Sequence, residues 1–365
     1  MDLSHVNAVV EQDVLADLAE IVATGAFTNG PHVARFEEAF AAYAGAAGCV
    51  GVASGLDALR LGLIAAGAGP GDEVVVPALT FIATFEAVSQ AGATPVVADV
   101  GEADYQLDPA AAAAAAGPLT LAILPVHLYG QMADMRALAD VAHAAGIGML
   151  EDACQAHGAE RDGIRPGALS AAAAYSFYPT KNLGAMGDAG ALVTGDRALA
   201  GRARALRQHG ERGGHRSERI GYTARLDTVQ AAVLLRKLPH LDGWNRERAA
   251  VAARYSEALA GVGDLRTLPV PAGSRPVWHL YPVRTDRAEG LRAHLADRGI
   301  VTGRHYPEPP HLSAAYAWLG HRPGAFPVAE RLCAELVSLP LYPGIGEEQV
   351  GRVCDAIREF FDDGA

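Results

Sequence analysis

Four polar groups stand where separate parts of the chain could bring them to one task. Asp152 closes the apolar run IGMLED, Ser54 closes CVGVAS, and Ser176 and Lys181 follow AAAAYSF within YSFYPTKNLGAMGDAG. A lysine amine forms a Schiff base with an aldehyde, and a carboxylate keeps a pyridine nitrogen protonated so that the ring draws electrons. Unpaired amides at a helix start, at the positive end of its dipole, favour a dianionic phosphate. These are the parts that hold pyridoxal phosphate. Each group also has an ordinary alternative: a solvated loop lysine, a turn aspartate, a plain serine cap. A generic nucleotide site at the same sheet edge would use similar groups.

Such groups meet only if their strands end together. From about Ala47 to Thr194 the chain alternates short apolar runs with helical patterns. CVGVAS, EVVVP, TPVVADV, TLAILPV, IGMLED, AAAAYSF and GALVT read as strands. GLDALRLGLIAAG reads as a helix between a Ser54 cap and a Gly67 stop, because a serine oxygen accepts from free amides and glycine tolerates the left-handed end. Further helices are expected over Thr80 to Ala91, over Ala133 to Ala145 and in the alanine run after Pro109, since alanine favours helix. Strands apolar throughout and separated by helices imply an α/β fold with a mainly parallel sheet covered on both faces, which binds ligands at its carboxyl edge. After Asp196 a basic helix, the loop GERGGHRSER and an amphipathic helix ending at Pro239 follow. The expected division is a large unit over 1–239 and a smaller α+β unit over 240–365, with HLYPVRT as one of its strands.

Composition narrows the function classes. The 365 residues are 50% hydrophobic and 20% charged, as in a globular enzyme. Thirty basic against 42 acidic residues give a net charge of -12, so a nucleic-acid partner is not expected. The amino end lacks the basic and apolar regions of a signal peptide, and the longest apolar run, Ala110 to Val126, is broken by Gly117, Pro118 and Pro125. A cytoplasmic protein without a membrane span is expected. The four cysteines, Cys49, Cys154, Cys333 and Cys354, form no CxxC pair, so neither a metal site nor a disulfide framework is expected.

The blocks GVASGLDALRLGL, GPGDEVVVPALTFIATFEAVSQAGATPVVADV, PVHLYGQMADM, EDACQAHGA, YSFYPTKNLGAMGDAGALVT and GYTARLDTVQAAVL resemble, in order, the DegT/DnrJ/EryC1/StrS family of PLP-dependent sugar aminotransferases. The likeness runs on into RHYPEPPHLSAAYAWLG and FPVAERLCAELVSLPLYPGI. It implies the aspartate aminotransferase-like fold, type I, and a homodimer with active sites at the subunit boundary. Position by position, it implies that Lys181 is the Schiff-base lysine, that Asp152 pairs with the pyridine nitrogen and that Gln155 reaches the ring hydroxyl. Gly55, Leu56 and Ser176 would hold the phosphate, and Phe81 would stack on the ring or else be a core phenylalanine. His127, Tyr178 and His209 match positions near substrate or cofactor, with a backbone hydrogen bond as the structural alternative for a histidine. His305 and Tyr306 match the approach to a sugar nucleotide. One departure stands out: Thr223 occupies the usual asparagine of GxNxRLD, expected to reach the phosphate from the partner subunit, and its hydroxyl is shorter with one donor instead of two.

The resemblance implies transfer of an amino group from glutamate to a nucleotide-linked ketosugar. A lysine at position 181 disfavours the family's dehydratase branch, which carries histidine there. FYPTKNLGAMGDAGAL is closer to enzymes that aminate C3 of dTDP-3-keto-6-deoxyhexoses, whereas C4 enzymes more often read FHPxKxxTTGEGG. A C4 enzyme, an enzyme of a cyclitol or other ketone, and a non-catalytic relative that binds PLP or a sugar nucleotide are the alternatives.

Overall fold

A computed structural model describes residues 2–211, 213 and 215–362. The apolar runs form β1 (Gly48–Val52), β2 (Glu73–Pro77), β3 (Thr94–Ala98), β4 (Thr120–Ile123), β5 (Gly148–Asp152), β6 (Glu160–Arg161), β7 (Ala172–Ser176) and β8 (Gly190–Thr194). All except β6 join a seven-stranded sheet in the order β1-β8-β7-β5-β4-β2-β3. Within that sheet β8 alone runs antiparallel, against β1 and β7. The sheet is therefore mainly parallel, as the apolar strands predict.

Both faces are covered. Leu59, Leu63, Val74, Val76 and Phe85 pack in one cluster, while Phe36, Phe40, Val75, Phe177 and Val193 pack in another. Burying each such side chain contributes about 1.5–3 kcal/mol, which holds the sheet between two helical layers. The helix after β1 spans Gly55–Ala66; the Ser54 hydroxyl accepts from the Asp57 amide at 3.0 Å, and Gly67 closes it at φ 107°. The alanine run gives the helix Pro109–Ala115, capped by Asp108. The helix expected from Thr80 begins instead at Ala83. Ala78 still bonds to Ala98 O at 2.8 Å, so residues 79–82 cross the sheet edge as a loop and leave Phe81 half exposed. Similarly, the helix expected from Ala133 spans Met135–Ala145, because the Asp134 carboxylate caps it.

Toward the carboxyl end, the helix Leu241–Ala258 follows a short turn of 3-10 helix containing Pro239. The strands here are β9 (Arg266–Thr267), β10 (Ser274–Arg275), β11 (Tyr281–Arg284) and β12 (Leu336–Leu339). Strand β11 lies between β12 and β9 in an antiparallel sheet, while β10 pairs with β6. A separate cluster gathers Val251, Tyr255, Tyr281, Leu291, Val337 and Ile357. Among the described residues no helix is long and apolar enough to cross a membrane.

Candidate active site

Strands β1, β5 and β7 point the same way, and the first residue of β8, Gly190, pairs with both Val52 and Ser176. That register places the helix start after Ser54, the end of β5 at Asp152 and the loop after Ser176 side by side. They enclose a cavity of about 340 Å³ lined by Ser54, Phe81, Asp152, Gln155, Ser176 and Lys181, with Tyr178, His305 and Tyr306 at its mouth and far wall.

Each group is held by its own neighbours. One Asp152 oxygen accepts from the Thr84 hydroxyl at 2.9 Å, and the other from the Cys154 amide at 3.1 Å. Thr84 is in turn 2.7 Å from Thr80, so two hydroxyls in series orient the carboxylate. Burial pushes the Lys181 amine below its ordinary value, with the Cys154 thiol and Asp152 opposing that shift. Such a shift raises the fraction of neutral, basic amine. The loop after β7 is tied at Lys181 N to Tyr178 O, 2.8 Å, and at Phe177 N to Ala189 O, 2.7 Å.

The helix start supplies an anion seat. The first intrahelical bond runs from Ala58 N to Ser54 O, so the Gly55 and Leu56 amides precede it. A Cβ at Gly55 would lie 2.7 Å from the Ser176 Cβ and 2.8 Å from the Cys154 sulfur, which closes this corner around a residue without a side chain. At Gly190 a Cβ would lie 2.2 Å from Ser54 O, so strand β8 presses directly on the helix cap. Ser176 Oγ accepts from the Tyr178 amide at 3.3 Å and keeps its proton to donate. A carboxylate, an amine and an amide-lined corner at separate sides of one cavity fit a phosphorylated pyridine aldehyde.

Gln155 is anchored before any ligand arrives: its oxygen accepts from the Tyr129 amide at 2.7 Å, and its Nε2 donates to the Tyr306 hydroxyl at 3.1 Å. The Phe81 ring is 51% exposed, which sets aside the core reading, and lies 5.3 Å from the Tyr306 ring. Tyr178 is half exposed on the cavity rim. His305 Nδ1 meets the Ser338 hydroxyl at 2.9 Å, and burial with the nearby Lys181 charge lowers its pKa to about 4.

Three expected residues are not brought to the cavity. His127 is fully buried; the Ala133 amide donates to its Nδ1 at 3.2 Å, so Nε2 carries the proton and donates to Glu151 at 2.7 Å. Both nitrogens are spent and none is left for a substrate, which corrects its reading as a substrate contact. His209 and Thr223 lie on an exposed loop, with His209 Nε2 at 3.4 Å from both Thr223 Oγ1 and Arg225 Nη1. Within one chain neither lines the cavity. Elsewhere Asp17, Glu20 and His32 approach within 4.8 Å, yet Arg236 holds both Asp17 oxygens at 2.7 Å.

Residues not anticipated include Thr84 and the cavity-lining His279. His157 also went unanticipated: its Nε2 donates to Ser176 O at 2.8 Å, and burial, then the Lys181 charge, lower its pKa to about 3.

Comparison with known proteins identifies the family. A dTDP-3-amino-3,4,6-trideoxy-alpha-D-glucose transaminase of Streptomyces venezuelae is 48% identical over 361 residues, 99% of this chain and 95% of that protein. The solved structure of S. venezuelae DesV in complex with a ketimine intermediate superposes with a TM-score of 0.97 at 47% identity, covering 99% of this chain and 97% of that one. NtdA of Bacillus subtilis with bound cofactor PMP gives a TM-score of 0.90 at 31% identity, over 98% of this chain and 82% of that one. Residues 9–358 match the family as a whole, and the chain belongs to the DegT/DnrJ/EryC1/StrS aminotransferase family.

Proposed function

We propose that the chain is a pyridoxal phosphate-dependent aminotransferase that moves an amino group from glutamate to C3 of a dTDP-linked 3-keto-6-deoxyhexose. The observation that carries this reading is that the Lys181 amine shares one cavity with Asp152 and with Ser54, the cap of the helix that starts at Gly55. Bound there, the cofactor supplies an aldehyde carbon and an electron-drawing ring. Lys181 would hold the cofactor through that carbon and, as a free neutral amine, would serve as the base that moves the proton at the reacting carbons. Asp152 would keep the ring nitrogen protonated, Phe81 would cover the ring face, and the Gly55 and Leu56 amides with the Ser176 hydroxyl would seat the phosphate. Tyr178, His305 and Tyr306 stand where the ketosugar enters. The choice of C3 is supported by the Streptomyces venezuelae relative, a transaminase named for a dTDP-sugar with its amine at that position.

The exposed His209 and Thr223, with the half-buried Arg225 near them, suit a site shared between two copies, in which this loop reaches the phosphate of the neighbouring cavity. The Arg225 guanidinium beside Thr223 supplies the charge that a lone hydroxyl lacks. The test is incubation with glutamate and a panel of 3-keto and 4-keto dTDP-sugars, with product read by mass and amine position by NMR. The expected product carries the amine at C3. Amination of the 4-keto sugars alone would overturn the assignment.

A further inference from the structure

His279 shares the cavity with Lys181 but has no part in the scheme above. Its hydrogen bonds determine which nitrogen carries the proton. Val277 O accepts from Asn182 Nδ2 at 2.8 Å, and Asn245 Nδ2 donates to His157 O at 2.8 Å. A carbonyl only accepts, so these two bonds fix both amide orientations. The Asn245 oxygen must then accept the second Asn182 Nδ2 hydrogen, at 2.8 Å, and the Asn182 oxygen must face His279 Nδ1, at 3.1 Å. His279 Nδ1 is therefore the donor. Its Nε2 keeps a lone pair and has no protein partner among the described residues, and the 5% of the residue that remains exposed belongs to the cavity wall. Asn182 is the residue next to Lys181, so the same network fixes the imidazole relative to the amine.

The ring stays neutral in that place. Burial first, then the Lys181 charge, and after it Arg248, His157 and His305, hold His279 well below its ordinary value. Asp152 and the Cys154 thiol are the groups across the cavity that act on Lys181 itself.

We propose that His279 is a positioning residue for the Lys181 amine: its Nε2 lone pair accepts one N–H of the free amine and aims the amine's own lone pair across the cavity. This rests on Lys181 being the reactive amine. A neutral acceptor suits the task, because a second carboxylate would hold the amine as an ammonium ion and a cation would repel it. The proton that Lys181 moves comes from the substrate and returns to it, and His279 exchanges none.

Two substitutions separate the cavity face of the ring from its buried face. His279→Asn keeps a donor to Asn182 and removes the acceptor in the cavity; His279→Gln keeps an acceptor near Nε2 and gives up the Nδ1 bond. In the holoenzyme, His279→Asn is expected to lower kcat by about 10- to 100-fold with KM within about threefold, and His279→Gln to lower kcat by less than about fivefold. The second readout uses the cofactor-free chain: acetic anhydride labelling of Lys181 against pH, followed by mass spectrometry, with the chain's other lysine, Lys237, as internal reference. The Lys181 midpoint should fall by about one pH unit in His279→Asn and hold in His279→Gln, because a buried ammonium loses its acceptor in the first only. The opposite ranking, with His279→Asn normal and His279→Gln impaired, would assign the ring to support of Asn182 and overturn the proposal. An unchanged labelling midpoint in both variants would overturn it too, whatever the enzyme does with sugars.

Discussion

The chain contains two lysines, and both are withdrawn from bulk water, yet they stand in opposite situations. Lys237 is 3% exposed; its amine donates to Asn7 Oδ1 at 2.7 Å and to Gly184 O at 2.9 Å, and burial lowers its pKa to about 8. Lys181 opens on a cavity, with a carboxylate and a thiol as its electrostatic neighbours and a histidine lone pair on the same wall. Both amines are easier to deprotonate than usual, for the same reason. What differs is what each amine faces: Lys237 is held by two acceptors and works as a strut, while Lys181 is left with room for a reactant. Burial of a lysine is thus a poor marker of chemistry until its partners are known. The strut also serves the reactive residue, since Gly184 lies in the loop that carries Lys181.

Replacing each lysine should split activity from stability. Lys181→Ala should abolish the visible absorption band of bound cofactor and lower turnover by at least about 10⁴-fold, with the unfolding midpoint in urea unchanged or raised. A variant that keeps both the band and the activity would end the distinction. Lys237→Met should lose about 1–3 kcal/mol of unfolding free energy, because the Gly184 carbonyl loses its donor, while kcat falls by less than about tenfold. A larger loss of kcat than of stability would move Lys237 into the reaction.

A pH series sharpens the same contrast from the side of the histidines. The folded value of His157, about 3, lies below the unfolded 6.5, so the unfolded chain binds this proton first as the solution is acidified. Its contribution to stability is present above pH 6.5 and is lost as pH falls toward 3, by about 1.4 kcal/mol per pH unit. His279 shifts in the same direction and adds to the slope. Urea unfolding between pH 6.5 and 5 should therefore steepen with acid, and His157→Phe should flatten it. The smallest effect is expected on the exposed loop. Thr223→Asn should tighten cofactor binding by less than about 1 kcal/mol, read from the cofactor concentration that restores activity to the cofactor-free enzyme. Weaker binding would mean that the loop does not face the phosphate.

Much of the scaffold could be read in advance because its signals are local. Ser54 before an amphipathic run and Gly67 after it give both helix ends, and apolar runs without alternation give a parallel sheet. The order of Ser54, Asp152, Ser176 and Lys181 at successive strand ends made the cavity legible as well. The supports were not legible, since nothing near Thr84 in sequence says that its hydroxyl turns to a carboxylate 68 residues away. Nor does anything near Asn182 announce partners at 245, 277 and 279. His127 misled for a related reason: it lies close to the cavity along the chain, but Glu151 and the Ala133 amide draw its ring to the far side of the backbone.

The contact at Gly190 carries one more consequence. With β8 seated against Ser54 O and paired on both sides, the turn that presents the Gly55 and Leu56 amides is a seam between packed elements. Its conformational entropy is surrendered when the chain folds, so an arriving anion meets amides already aimed and little ordering remains to oppose binding. Position 190 is accordingly closed to variation: any side chain there would part the seam, and the anion seat would become a flexible loop that each ligand must organise afresh.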